Sequence, residues 1–171
     1  MENDQVQNDS EKLAETLLLH REWNFYVKRN HTEWVKQNFI FMNKVKTIKD
    51  MWQLLNNIDE KYTGLTNLFF MEYDIIPLWE ENKNLWSNGG CWSTIIKGRT
   101  WIESMHEICM IVMGESVFDE NEIKGICIIP VGTYHSIIKL WTTTNSQHIA
   151  AQLQNSLHNL NCCPPKFKAF S

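Results

Sequence analysis

Apolar positions recur at two spacings along this chain, and each switch between them marks an element. WNFYVK, from Trp23, and NFIFMNKV, from Asn38, carry the aromatic and β-branched residues of strands. In TIKDMWQLLNNI the residues Ile48, Met51, Trp52, Leu55 and Ile58 fall at helical spacing, and Thr47 is placed to cap them. NLFFMEYDI predicts a strand running into a loop at Pro77, and GGCWSTIIKG a strand entered from a double glycine. TWIESMHEICMIVM predicts a mostly apolar helix stopped by Gly114. IKGICIIPVG and YHSIIKLWTTT predict paired strands joined around Gly132 and Thr133. SQHIAAQLQNSLHNL predicts a helix with Asn145 or Ser146 at its cap, and a last strand, KFKAF, follows Pro164 and Pro165.

That order predicts an α+β domain: an antiparallel sheet with about three helices gathered on one face. Residues 21–171 are expected to form one domain. Residues 1–20 are expected to be a flexible arm, polar to Lys12, with LAETLLL as a short helical turn or a packing segment. No repeat, linker or low-complexity tract interrupts the chain.

Composition narrows the function. A net charge of -4 argues against a basic field that grips long nucleic acid, so any contact with nucleic acid is expected to be local. Five cysteines without CxxC spacing suit reduced thiols in a cytoplasmic protein. The first residues are too polar for a signal peptide, no apolar run approaches a membrane span, and a monomer is expected. His106 and Cys109 lie one helical turn apart without further ligands, and Asp119, Glu120 and Glu122 sit in a loop. Neither group is expected to bind metal, and no cofactor is implied. No Ser-His-Asp order, phosphate loop or HExxH is present, so no enzyme is expected.

Tryptophan is what the composition leaves unexplained, at eight residues. Trp34 stands among polar residues in NHTEWVKQN, where no apolar periodicity demands burial. Trp79 is followed by Glu80 and Glu81 in PLWEENKN, which pairs a spare aromatic with a carboxylate. Trp86, in the same loop, is a rival stacking residue without an adjacent carboxylate. Glu81 is expected to be solvated only. Trp92 reads as core, whereas Trp141 divides evenly between core and contact.

The Trp34 loop, DMW at Trp52, IIPLWEENKN, GGCW, MGESVFDE, KLWTTT and CCPPKF follow one another in an order and spacing that are specific in combination. With these motifs, from about Trp23 to Phe167, the chain resembles the cap-binding translation initiation factor 4E family. The resemblance implies a strongly curved, cupped antiparallel sheet backed by helices. It further implies that Trp34 and Trp79 sandwich the 7-methylguanine of a 5′ mRNA cap, with Glu80 accepting from the guanine N–H groups and Trp141 beside the methyl group. Methylation at N7 leaves the base cationic. Each indole therefore adds cation–π attraction of up to ~2 kcal/mol to stacking of ~1 to 3 kcal/mol.

The resemblance also shows departures. The family's basic phosphate contacts fall here on Cys91, on Val131 or Gly132, and on His135 to Ile137. Lys139, two residues before Trp141 and so on the same strand face, is the leading replacement, followed by Lys97, Arg99 and His135. Fewer cations predict discrimination by the first transcribed nucleotide, for which Trp86, Tyr134 and His135 are candidates. No C-terminal loop is expected to close over the cap.

On the outer face, Ile48, Trp52, Glu107 and Met110 match the surface that receives a helical peptide of the scaffold factor 4G or of its competitors. His106 stands there in place of an aliphatic residue, and Leu17-Leu18 in place of a His-Pro pair. The implied function is cap binding that recruits a scaffold to start translation; the alternative is a competitor that binds caps without recruiting it. Abundant Asn, Lys and Ile point to an AT-rich coding source, microbial or viral.

Overall fold

The longest strand, β1 (Leu18–Arg29), alternates between two interiors. Trp23, Phe25 and Val27 enter one apolar cluster and Tyr26 the other, as period-2 geometry requires. The computed structural model describes residues 17–59, 66–98, 100–115, 117–118, 121–157 and 161–170. The further elements are β2 (Ile40–Thr47), α1 (Ile48–Asn57), β3 (Thr66–Glu72), β4 (Gly90–Lys97), α2 (Trp101–Met113), β5 (Ile123–Pro130), β6 (His135–Thr142), α3 (Gln147–Ser156), β7 (Asn161–Cys162) and β8 (Lys166–Ala169).

The strands form one curved sheet in the order β2-β1-β3-β5-β6-β4-β7, with β8 also paired to β4. Every pairing is antiparallel. Register shifts between Leu18 and Trp23 and between Phe25 and Tyr26 bend the β1–β2 ribbon.

The helices start where their caps dictate. Thr47 accepts from the Asp50 N–H while the Asp50 carboxylate receives the Thr47 N–H, and Thr100 and Glu103 repeat this box at α2. Ser146 caps α3 by accepting from His148 N–H. Behind the sheet, Met51 and Leu55 of α1, Met105, Ile108 and Val112 of α2, and Ile149 and Leu153 of α3 pack on Trp23, Phe70, Trp92, Ile128 and Leu140. Each such buried side chain contributes ~1.5 to 3 kcal/mol.

Part of the segment assigned to the arm, Leu18–His20, is strand. These residues belong to β1, because Leu17 C=O accepts from Ile48 N–H at 3.0 Å and Leu19 packs against the main core. Residues 1–16 lie outside the described region, as do Arg99, Asp119 and Glu120.

Candidate binding cleft

On the face away from the helices, a cleft of about 230 Å³ is lined by Trp34, Trp79, Glu80, Cys91, Cys127, Ile129, Lys139, Trp141 and residues 168–170. Trp34 and Trp79 come from different connections. Trp34 sits in the β1–β2 loop, 50% exposed, and meets Phe39 and Phe69 edge-on with centroids 5.4 and 6.0 Å away. Beyond it Lys36–Asn38 form a single 3-10 turn, and Asn38 Nδ2 donates to Glu33 O at 3.0 Å. Trp79 begins a second 3-10 turn, Trp79–Asn82, seated by the buried Leu78, with Lys83 Nζ 5.7 Å from its ring centroid.

Glu80 is exposed and lines the cleft beside Trp79. Glu81, expected only to be solvated, instead accepts from Lys36 Nζ at 3.3 Å. This ion pair ties the two indole-bearing turns together. Both side chains are open to water, so its contribution is ~0 to 1 kcal/mol.

The floor is built from strand residues at alternate positions. Trp141 on β6, Cys127 and Ile129 on β5 and Cys91 on β4 face the cleft, while Leu140, Ile128 and Trp92 face the helices. Trp141 is both core and lining. It is 4% exposed and is wedged against Trp86 at 5.6 Å and Phe170 at 4.7 Å between ring centroids. Gly125, opposite Trp141 across the strand pair, leaves room for the Met71 thioether, which would have to shift to admit a Cβ there.

Trp86 needs correction as a stacking or first-nucleotide candidate. It is 2% exposed and lies behind Trp141 with Phe170 on another side, so no ligand in the cleft reaches it. The loop that carries it delivers an indole to the second core instead. Burial pushes the Cys127 thiol up to about 12, with the Lys139 charge opposing and Cys91 adding to the rise, so the cleft offers no thiolate at that position.

The cations are distributed unevenly. Lys139 lines the cleft as expected, and Lys168 of β8, which no motif singled out, lines it too. In register, Ser93 lies between Lys139 and Lys166, and Cys91 between Trp141 and Lys168. Three lysines therefore border β4 on the cleft side. Among the described residues none of the three has a carboxylate within ion-pair distance. His135 shares the strand face but sits exposed at the far end of β6, paired with Lys97, and neither lines the cleft. Arg99 falls outside the described residues.

On the helical side, Ile48, Trp52 and Met110 line a shallow groove with Leu18, Leu19, His20, Met51, Met113 and Gly114. His106 and Glu107 are half-buried next to it and do not line it. His106 Nε2 lies 3.1 Å from Leu55 O, and its ring stands edge-on to Trp52. The histidine thus joins α1 to α2 and steadies the indole.

The described residues contain no helix long and apolar enough to cross a membrane. No group of three His, Cys, Asp or Glu among them is disposed to hold a metal ion. Residues 18–169 match the family model for eukaryotic initiation factor 4E. The chain belongs to this family. A wheat initiation factor isoform 4E-2 is 27% identical over 139 residues, covering 75% of this chain and 63% of the relative. A mouse initiation factor 4E type 1B is 25% identical, with coverages of 70% and 50%. The chain thus spans less than two thirds of the curated relatives it matches. Ascaris suum eIF4E-3, solved with an m7G cap, superposes with a TM-score of 0.71 at 19% identity, covering 91% of this chain and 92% of that one. Caenorhabditis elegans eIF4E-3, solved with the 4E-binding protein Mextli and a cap analog, gives 0.73 at 20% identity, with coverages of 90% and 92%. These likenesses agree with the cupped sheet expected from the motifs.

Proposed function

We propose that this chain is a non-enzymatic, cytoplasmic, monomeric binding module that holds the 7-methylguanine cap of mRNA and recruits a scaffold protein through its helical face to begin translation. One observation carries the reading: two indoles from separate loops, Trp34 and Trp79, converge on one cleft that has Glu80 at its edge and Trp141 in its floor. A flat cationic base fits between aromatic faces, and a carboxylate matches its N–H edge. Wherever such a base is stacked, its phosphates need cations, and Lys139 and Lys168 supply them with no carboxylate partner among the described residues. Lys166 extends the row. An m7G cap is also the ligand in the Ascaris structure, and Mextli is the partner in the Caenorhabditis complex. The apolar groove at Ile48, Trp52 and Met110 supports a helical peptide of a scaffold factor 4G type, with His106 and Glu107 at its border.

The test is a fluorescence titration with 7-methylguanosine triphosphate. Trp34→Ala, Trp79→Ala and Glu80→Gln should each lose ~1 to 3 kcal/mol of affinity without loss of fold. Wild-type affinity in a folded Trp34→Ala protein would refute the assignment.

A further inference from the structure

Beneath the Trp34 loop lies a charge that neither the sheet nor the helices use. Lys28 of β1 is 2% exposed, among the most buried side chains of the molecule. Its Nζ donates to Thr32 O at 2.7 Å, to Thr32 Oγ1 at 3.1 Å and to Arg29 O at 3.3 Å. Thr32 Oγ1 in turn donates to Arg29 O at 2.8 Å, so the hydroxyl accepts from the lysine and does not donate to it. Three acceptors require three N–H groups, which is the protonated ammonium. No carboxylate among the described residues pairs with it. The same Nζ stands 5.0 Å from the centroid of the Trp34 ring. Burial pushes its pKa below the ordinary lysine value, but the three oxygens supply a compensating shell.

Lys28 does not line the cleft whereas Trp34 does, so the ammonium and a bound base meet the indole from different sides. We propose that Lys28 is a specificity-determining residue: its fixed cation against Trp34 holds the loop and at the same time lowers the preference of the cleft for a cationic, methylated guanine over a neutral one. This rests on the base-binding reading above.

The reasoning is electrostatic. The negative face of an aromatic ring attracts a cation, and a second cation on the other side repels the first. A base stacked at ~3.5 to 4 Å would lie about 8 to 9 Å from Nζ, given the 5.0 Å already separating Nζ from the ring centre. At effective dielectric constants between ~20 and ~80, two unit charges at that spacing weaken binding by roughly 2- to 30-fold. A neutral guanine escapes this penalty and stacks equally well. Glu80 works in the opposite sense, so base selectivity is the balance of one carboxylate and one buried ammonium.

The experiment compares 7-methylguanosine triphosphate with guanosine triphosphate on the full chain, on Lys28→Gln and on Lys28→Met, at low salt. The two ligands carry the same phosphates, so the ratio of their affinities reports the base alone. In either neutral variant the ratio should rise by about 2- to 30-fold in favour of the methylated nucleotide, while Lys28→Arg should keep the ratio of the unsubstituted protein. A lysine that only props up the loop would make both affinities fall in equal proportion, and an unchanged or reduced ratio would overturn the inference. If the unsubstituted protein bound neither nucleotide, the base-binding reading would fall and this inference with it. Binding of both with a ratio indifferent to Lys28 would overturn this inference alone.

Discussion

The two faces of the sheet use the same amino acids for opposite ends. Toward the helices, Trp23, Trp92 and Trp101 are almost fully buried, and their value is the area they remove from water. Toward the cleft, Trp34 is half exposed, its ring steeply inclined to those of Phe39 and Phe69, and it lines the open space. Trp141 belongs to both descriptions, because it packs against Trp86 and Phe170 and also lines the cleft. Burial alone therefore does not show which tryptophan meets the cleft, since Trp141 lines it while the similarly buried Trp86 and Trp92 do not.

The largest expected effect lies on the helix side. Trp23→Ala should cost ~3 to 5 kcal/mol of stability in chemical denaturation, and with it the cleft as well as the groove. A loss below ~1 kcal/mol would mean that the helix-side core does not support the cleft. Next comes the groove. Trp52→Ala should weaken a scaffold-type helical peptide by ~2 kcal/mol or more in calorimetry while leaving base affinity unaltered. Parallel loss of both would show that the faces are coupled rather than independent.

A smaller effect is expected at the edge of the cleft. Lys168→Ala should remove ~1 kcal/mol of the affinity gained when 7-methylguanosine monophosphate is extended to the triphosphate, and the deficit should shrink at high salt. A full phosphate gain in that variant would take Lys168 out of the phosphate site and leave Lys139 and Lys166.

The smallest concerns α1. Burial works against the Asp50 carboxylate, but the N–H groups of Lys46 and Thr47 outweigh it and hold the carboxyl below its ordinary range. A depressed folded-state pKa contributes stability that is present above the unfolded value near ~4 and is lost as pH falls through the folded one. Asp50→Ala should cost ~1 kcal/mol at neutral pH, and the gap from the unsubstituted protein should narrow under acid. Equal gaps at pH 7 and pH 3 would remove Asp50 from the acid response.

Most of the architecture could be read along the chain because its signals are local. Thr47 and Thr100 announce their helices through boxes completed three residues later, and Trp34 betrays itself by standing among polar neighbours. Lys168 could not be selected in this way. Its strand was visible in KFKAF, but only pairing with β4 sets it across from Cys91. Trp86 misled for the complementary reason: a tryptophan in a polar loop reads as exposed until a second core, formed by residues from five separate parts of the chain, receives it. Lys28, inside WNFYVK, looked like the polar end of a strand, and nothing local indicated that a loop would fold over its ammonium.

Sequence by itself determined most elements of this protein, though not the start of β1 or the short β7, together with the caps of α1 and α2, the α+β class and the polar setting of Trp34 and Trp79, since propensity, period and capping act within a few residues. Tertiary structure alone decided which charges face the cleft, which indole keeps an open side, and which lysine is buried beneath it. Those outcomes depend on strand register and on the closure of loops between residues far apart in the chain, and a one-residue change in register would turn each of these side chains to the other face.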